Sequence, residues 1–102
     1  MKDKNHQLLF SIGLARKAGK LLSGTESVCD GIRGGKIRLV IASCDVSENT
    51  KKRISDCCTH YGVSLSIAPA DKETLGSAIG KPFAACVGIT DENLSKLISR
   101  NL

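Results

Sequence analysis

The residues able to do chemistry fall into three groups: two histidines, five cysteines, and two glycine-marked segments with cations beside them. His60 follows Cys57 and Cys58, and a Cys-Cys-x-His run offers soft ligands to a metal. Adjacent cysteines and only three candidate ligands fit poorly with a closed tetrahedral zinc site. Neighbouring cysteines also have poor geometry for bridging one another. The cysteine count is odd and no C-x-x-C occurs, so Cys29, Cys44, Cys57, Cys58 and Cys86 are read as reduced thiols used as small core residues. His6 falls in the N-terminal turn. Asp45 follows a strand, a favoured place for catalytic groups in α/β folds. No acid or histidine pairs with it in the sequence, and it is read as a turn residue. No G-x-S-x-G, G-x-x-x-x-G-K-[ST] or G-x-G-x-x-G motif occurs. The side chains assemble no catalytic constellation, so the expectation is a non-enzyme with no metal and no cofactor.

Binding chemistry is better served. Between Arg16 and Gly35, three cations (Arg16, Lys17, Lys20) lead through Leu21–Leu22 into Ser23–Gly24–Thr25–Glu26. Ser23-x-x-Glu26 matches a capping box, with the serine capping one helix N–H and Glu26 reaching back. A helix N-terminus bordered by cations suits a phosphate backbone, because its free N–H groups and positive dipole end point outward. Gly24 lets the backbone approach a ligand closely, and Thr25 adds a hydroxyl. The second segment, Gly80–Lys81–Pro82–Phe83–Ala84–Ala85, is an apolar loop with one cation. Placed at the same end of a sheet, the two would hold a structured RNA by its phosphates and pack against an extruded base. A multi-base stacking platform is not expected, since the aromatics are only Phe10, Tyr61 and Phe83.

These segments need a scaffold, and the periodicity supplies one. His6 to Ala18 reads as a helix, with Leu8, Leu9, Ile12 and Ala15 on one face and Gly19 as its cap. Leu21–Leu22 is a very short strand. The second helix carries Val28, Cys29 and Ile32 on one side and ends at Gly34–Gly35. Lys36 to Ser43 is a nearly continuous β-branched run, a strand covered on both faces. Ser47 caps a third helix, Glu48 to Tyr61, that buries Ile54, Cys57, Cys58 and Tyr61. Val63, Leu65 and Ile67 alternate with serines as a half-buried strand, stopped by Pro69. Asp71 caps a short helix, Lys72 to Ile79. Phe83 to Ile89 forms a buried strand, and Thr90 caps a last helix, Asp91 to Asn101. This alternation predicts an α/β fold: a three-layer α/β/α sandwich on a four-stranded mixed sheet.

Composition narrows the partner. With 102 residues the chain is expected to be a single domain, residues 1–102. Of its 15 Lys/Arg, eleven lie in residues 1–53 against five Asp/Glu; residues 54–102 carry four against five. A basic half on a neutral remainder is the footprint of a polyanion-binding face. No apolar run approaches the ~20 residues of a membrane helix. The N-terminal apolar stretch is too short for a signal peptide. The expected compartment is the cytoplasm, with no membrane partner and a monomeric state.

Three stretches, AGKLLSGTES, IRLVIASCDVSENT and LGSAIGKPFAACVGIT, resemble the kink-turn-binding family of archaeal ribosomal protein L7Ae and its small bacterial L7Ae-like members. The resemblance covers nearly the whole length. It implies an α/β/α sandwich of the L7Ae/L30e type and binding of kink-turn or related structured RNA, ribosomal RNA included, with the ribosome as a possible setting. It further implies that the second helix enters the RNA groove and that the loop before the fourth strand covers a flipped-out nucleotide. The RNA-binding residues then expected are Lys17, Lys20, Gly24, Thr25, Glu26, Ser27, Lys81, Pro82, Phe83, Ala84 and Ala85. The family's glycine falls on Gly24, its base-reading asparagine–glutamate pair on Glu26 and Ser27, and its lysine one turn later on Asp30. A missing donor or an added acid at these positions would cost about 1–3 kcal/mol of binding. The alternative is a protein-interaction module on the same fold, within the translation machinery, with kink-turn recognition weakened or lost.

Overall fold

The computed structural model describes residues 4–102. The expected domain, residues 1–102, also takes in residues 1–3, which lie outside the described residues. The elements run α1 (Lys4–Lys17), β1 (Leu21–Ser23), α2 (Thr25–Arg33), β2 (Leu39–Ala42), α3 (Glu48–Tyr61), β3 (Ser64–Ile67), α4 (Lys72–Ala78), β4 (Cys86–Ile89) and α5 (Glu92–Ser99). The sheet order is β1-β4-β2-β3. β4 is antiparallel to both its neighbours, and β2 is parallel to β3. The sheet is therefore mixed and four-stranded, as the alternation predicts.

β2 shows why helices cover both faces. All four of its residues are buried. Leu39 and Ile41 join a core with Leu8 and Ile12 of α1, Leu75 of α4 and Ile98 of α5. Val40 and Ala42 point the other way, into a core with Val28 and Ile32 of α2 and Ile54 and Cys58 of α3. Successive strand side chains face opposite sides, so one apolar run can feed two cores. The layers are α1, α4 and α5 on one side and α2 and α3 on the other.

Several sequence expectations are corrected. His6 lies within α1 as expected, the helix beginning two residues earlier at Lys4. Tyr61 is 47 % exposed, with its ring edge-on to His60 at 4.7 Å, because it sits in the last turn of α3, past the buried Ile54–Cys58 face. Ile67 is exposed, since β3 is an edge strand with β2 as its one neighbour. Cys44 is exposed in the turn after β2, while Cys29, Cys58 and Cys86 are the buried thiols. Asp91, not Thr90, caps α5 by accepting from the Leu94 N–H at 2.9 Å. Thr90 is still held by the sheet, its N–H donating to the Lys20 carbonyl. The segment before Cys86 is loop rather than strand. Ser47 and Asp71 cap α3 and α4 as expected, accepting from the N–H groups of Thr50 and Thr74.

Ile37 locks α2 to the sheet. It is buried between two glycines, Gly31 of α2 and Gly88 of β4. A Cβ at Gly88 would fall 2.4 Å from Ile37 Cδ1, and one at Gly31 would fall 2.8 Å from the same atom. Both glycines are small so that this side chain can fill the notch between helix and strand. We therefore expect Gly88→Ala to destabilise the fold by about 1–3 kcal/mol, as overpacking does. Adding Ile37→Val, which removes Cδ1, should recover part of that loss. Urea denaturation of the two single variants and the double variant measures the coupling.

Candidate nucleic-acid interface

The N-terminus of α2 is built on backbone rather than on a capping box. Ser23 belongs to β1 and pairs with Val87, so it is not available to cap the helix. The cap position is Gly24, at φ 93° and ψ 147°, with no side-chain hydrogen bond to the first turn. That positive φ is glycine territory. The first-turn N–H groups of Thr25, Glu26 and Ser27 precede the start of the intrahelical ladder, which begins with the Val28 N–H bonding the Gly24 carbonyl at 2.9 Å. Gly24 itself is exposed. The result is an open helix tip of the kind that receives anions.

Glu26 is freed from the capping role and reaches α3 instead. Its Oε2 lies 2.7 Å from the Arg53 guanidinium, and that carboxylate holds Arg53 further toward its charged form. Asp30 is likewise paired, with Arg33 one turn on at 2.8 Å. Both acids on the outer face of α2 thus carry an arginine beside them. Thr25 is half-buried at the start of the helix, and the Cys86 thiol is buried. Ser27 is exposed on the first turn.

β1 and β4 bring the second segment to this tip. The Gly24 N–H donates to the Cys86 carbonyl at 3.2 Å, extending the antiparallel pair one step past Ser23. The residues just before Cys86 are the loop Gly80–Ala85. Four backbone bonds hold that loop: Gly80 N–H to the Ser77 carbonyl at 3.2 Å, Lys81 N–H to the Gly76 carbonyl at 2.9 Å, Ala84 N–H to the Lys72 carbonyl at 3.0 Å, and Ser43 N–H to the Ala85 carbonyl at 2.8 Å. Gly76 lets it lie flat on α4, since a Cβ there would fall 2.7 Å from the Lys81 carbonyl oxygen and 2.9 Å from Phe83 Cα. Asp45 supports the same corner by accepting from the Lys72 N–H at 3.0 Å. Ala84 is buried, Ala85 half-buried, and Lys81, Pro82 and Phe83 are exposed, with Phe83 at 64 %.

The cations expected at the tip are elsewhere. Lys20 precedes β1, and its carbonyl accepts from the Thr90 N–H, which marks the far end of the β1–β4 pair. The three residues of β1 separate it from Gly24, a span of roughly 13 Å. Lys17 ends α1 and lines a groove with Gly80. Of the expected residues, the β1–β4 seam sets Gly24 beside Cys86, where the Gly80–Ala85 loop ends, while Lys20 lies at the other end of β1 and Lys17 lines a groove that reaches Gly80. Arg53 and Gly76 belong to the corner and were not expected there. The Leu-Gly-x-Ala-x-Gly stretch contained Gly76, but the loop packed against it is a tertiary fact. Among the described residues, no group of three or more His, Cys, Asp or Glu could hold a metal ion. No helix among them is long and apolar enough to cross a membrane.

Similarity to known proteins runs along most of the chain. Residues 7–99 match the ribosomal protein L7Ae/L30e/S12e/Gadd45 family. The RNA-binding protein YlxQ of Bacillus subtilis is 37 % identical over 89 residues, covering 86 % of this chain and 88 % of that protein. The protein of the same name from Enterococcus faecium is 37 % identical over 97 residues, covering 94 % and 92 %. The solved structure of a protein of unknown function from Bacillus halodurans superposes with a TM-score of 0.87 at 33 % identity, covering 92 % of this chain and 94 % of that one.

Two outcomes are expected from the geometry alone. Gly76→Ala should lift the loop from α4, speed amide exchange at Lys81 and Ala84, and cost about 1–3 kcal/mol of stability. Brief alkylation at pH 8 should label Cys44 first by mass spectrometry. Burial pushes the Cys58 and Cys86 thiols up to about 11, so both stay neutral and shielded at that pH.

Proposed function

The chain belongs to the ribosomal protein L7Ae/L30e/S12e/Gadd45 family, and on that premise we propose that it acts as one non-catalytic, monomeric RNA-binding domain of ribosomal type in the cytoplasm. The RNA is a kink-turn or a related sharply bent structure, ribosomal RNA included. The observation that carries this reading is the seam from Gly24 to Cys86, which sets an uncapped helix tip beside an apolar loop. The N–H groups of the α2 first turn take a phosphate, and Lys81 adds a charge. Phe83 and Ala85 pack against an unstacked base. The two YlxQ relatives, named as RNA-binding proteins, support RNA as the ligand.

The paired acids bear on specificity. Glu26 and Ser27 stand at the base-reading positions, and Arg53 neutralises Glu26. A carboxylate accepts from a base amino group without a bare negative charge facing the phosphates. Lys17 and Lys20 add phosphate contacts outside the corner. The protein-interaction alternative draws on the same two acids and requires that structured RNA not bind.

Calorimetric titration of the full chain with a kink-turn RNA and with a plain duplex of equal length tests the reading. Kink-turn binding should be tighter and should weaken as salt rises. Lys81→Glu should weaken it about tenfold and reduce the log-salt slope by about 1. Lys20→Ala should have a smaller effect. Equal affinity for the two RNAs would remove the kink-turn claim, and no binding of either would favour the protein-interaction alternative. Arg53→Ala should also weaken binding, because Glu26 then faces the RNA without its counter-charge. If that variant binds as well as the parent, the pair has no part in recognition.

A further inference from the structure

α1 carries two apolar faces, and the fold covers one. Leu8, Ile12 and Ala15 are fully buried against the sheet and its neighbouring helices. Phe10 and Leu14, spaced i and i+4, point away from that core and are 65 % and 40 % exposed. A surface helix normally pairs its apolar stripe with a polar opposite face, and α1 does not. A groove runs along each side of this ridge. One, of about 560 Å³, lies toward α4, and the other, of about 520 Å³, lies toward α5 and ends at Leu97, itself partly exposed.

The charge of the two grooves points to an occupant. Arg16 and Lys17 edge the first, and Arg100 edges the second. Among the described residues that line them, none is acidic. We propose that the Phe10–Leu14 ridge of α1 docks an acidic amphipathic segment of a partner protein. Its apolar side chains enter the two grooves, and its carboxylates meet Arg16 and Arg100. A second copy of this chain fits less well. A two-fold contact would set each cationic rim against its own like in a chain of net charge +5. The surface lies on the opposite side of the sheet from α2, and the inference does not depend on RNA binding.

A fluorescein-labelled helical peptide of about 18 residues tests it, with Leu at i, i+3, i+4 and i+7 and Glu at the remaining positions. Fluorescence anisotropy with the full chain should show it binding at least about tenfold tighter than the same peptide with Lys in place of Glu. Phe10→Ser and Arg100→Glu should each weaken it about fivefold or more. Phe10→Ser should leave RNA affinity unchanged, which separates this surface from the α2 corner. The proposal fails if the acidic peptide does not bind, binds no better than the lysine one, or is indifferent to Phe10→Ser. It also fails if the chain sediments as a dimer that Phe10→Ser dissociates, because the ridge is then the contact between copies. Protection of Phe10 by an oligouridine in place of the peptide would make the ridge a nucleic-acid surface and overturn the proposal.

Discussion

The antiparallel pairing of β1 with β4 is the constraint on which the candidate interface depends. β1 has three residues, and alone it would not hold together. Paired with β4, it ends at Ser23 opposite Val87, and the next N–H, from Gly24, bonds the Cys86 carbonyl. One strand edge thereby decides where α2 begins and where the Gly80–Ala85 loop ends. Residues far apart in the chain become one corner. The Ile37 notch between Gly31 and Gly88 fixes α2 against the same strand from below, so the tip has little freedom to tilt.

Electrostatics at this corner follow from packing as much as from composition. Glu26 would be a poor neighbour for phosphate were it alone. α3 packs against α2 in the same layer and brings Arg53 within 2.7 Å of it. Both side chains are largely solvated, so the pair adds little to stability. What it changes is the sign of the surface: an acid becomes part of a neutral pair that retains a hydrogen-bond acceptor and a guanidinium. The Asp30–Arg33 pair does the same one turn along. The buried thiols beneath contribute volume rather than reactivity, since burial holds Cys58 and Cys86 protonated.

The opposite side of the sheet obeys a different logic. α4 and α5 flank α1 without covering it, and Phe10 and Leu14 remain in water. Apolar area left on a ridge between two cation-edged grooves has a cost in solubility that a bound partner would remove. The molecule thus presents two surfaces of unlike chemistry on opposite faces of one sheet. One is built from backbone N–H groups and arginines, the other from aliphatic and aromatic side chains.

The order of elements, the mixed sheet and the caps of α3 and α4 were legible in the sequence, because periodicity and cap chemistry are local. The turns at Gly24 and Gly80–Pro82 were legible for the same reason, whereas Phe83–Ala85 read as strand and is loop. The sequence also placed Ser23 and Glu26 in a capping box and Thr90 at a helix cap. Strand pairing overrode both: Ser23 and Thr90 are held by the sheet, and Gly24 and Asp91 take the cap positions. Tyr61 fits the helical period but sits one turn beyond the surface that would cover it. Only the tertiary structure decided that Lys20 lies at the far end of β1 from the tip. It alone assigned Arg53 to Glu26 and laid a loop against Gly76. A helical period states which side chains share a face, but not what that face meets. That depends on which strand edges pair, and strand pairing joins residues far apart in the chain.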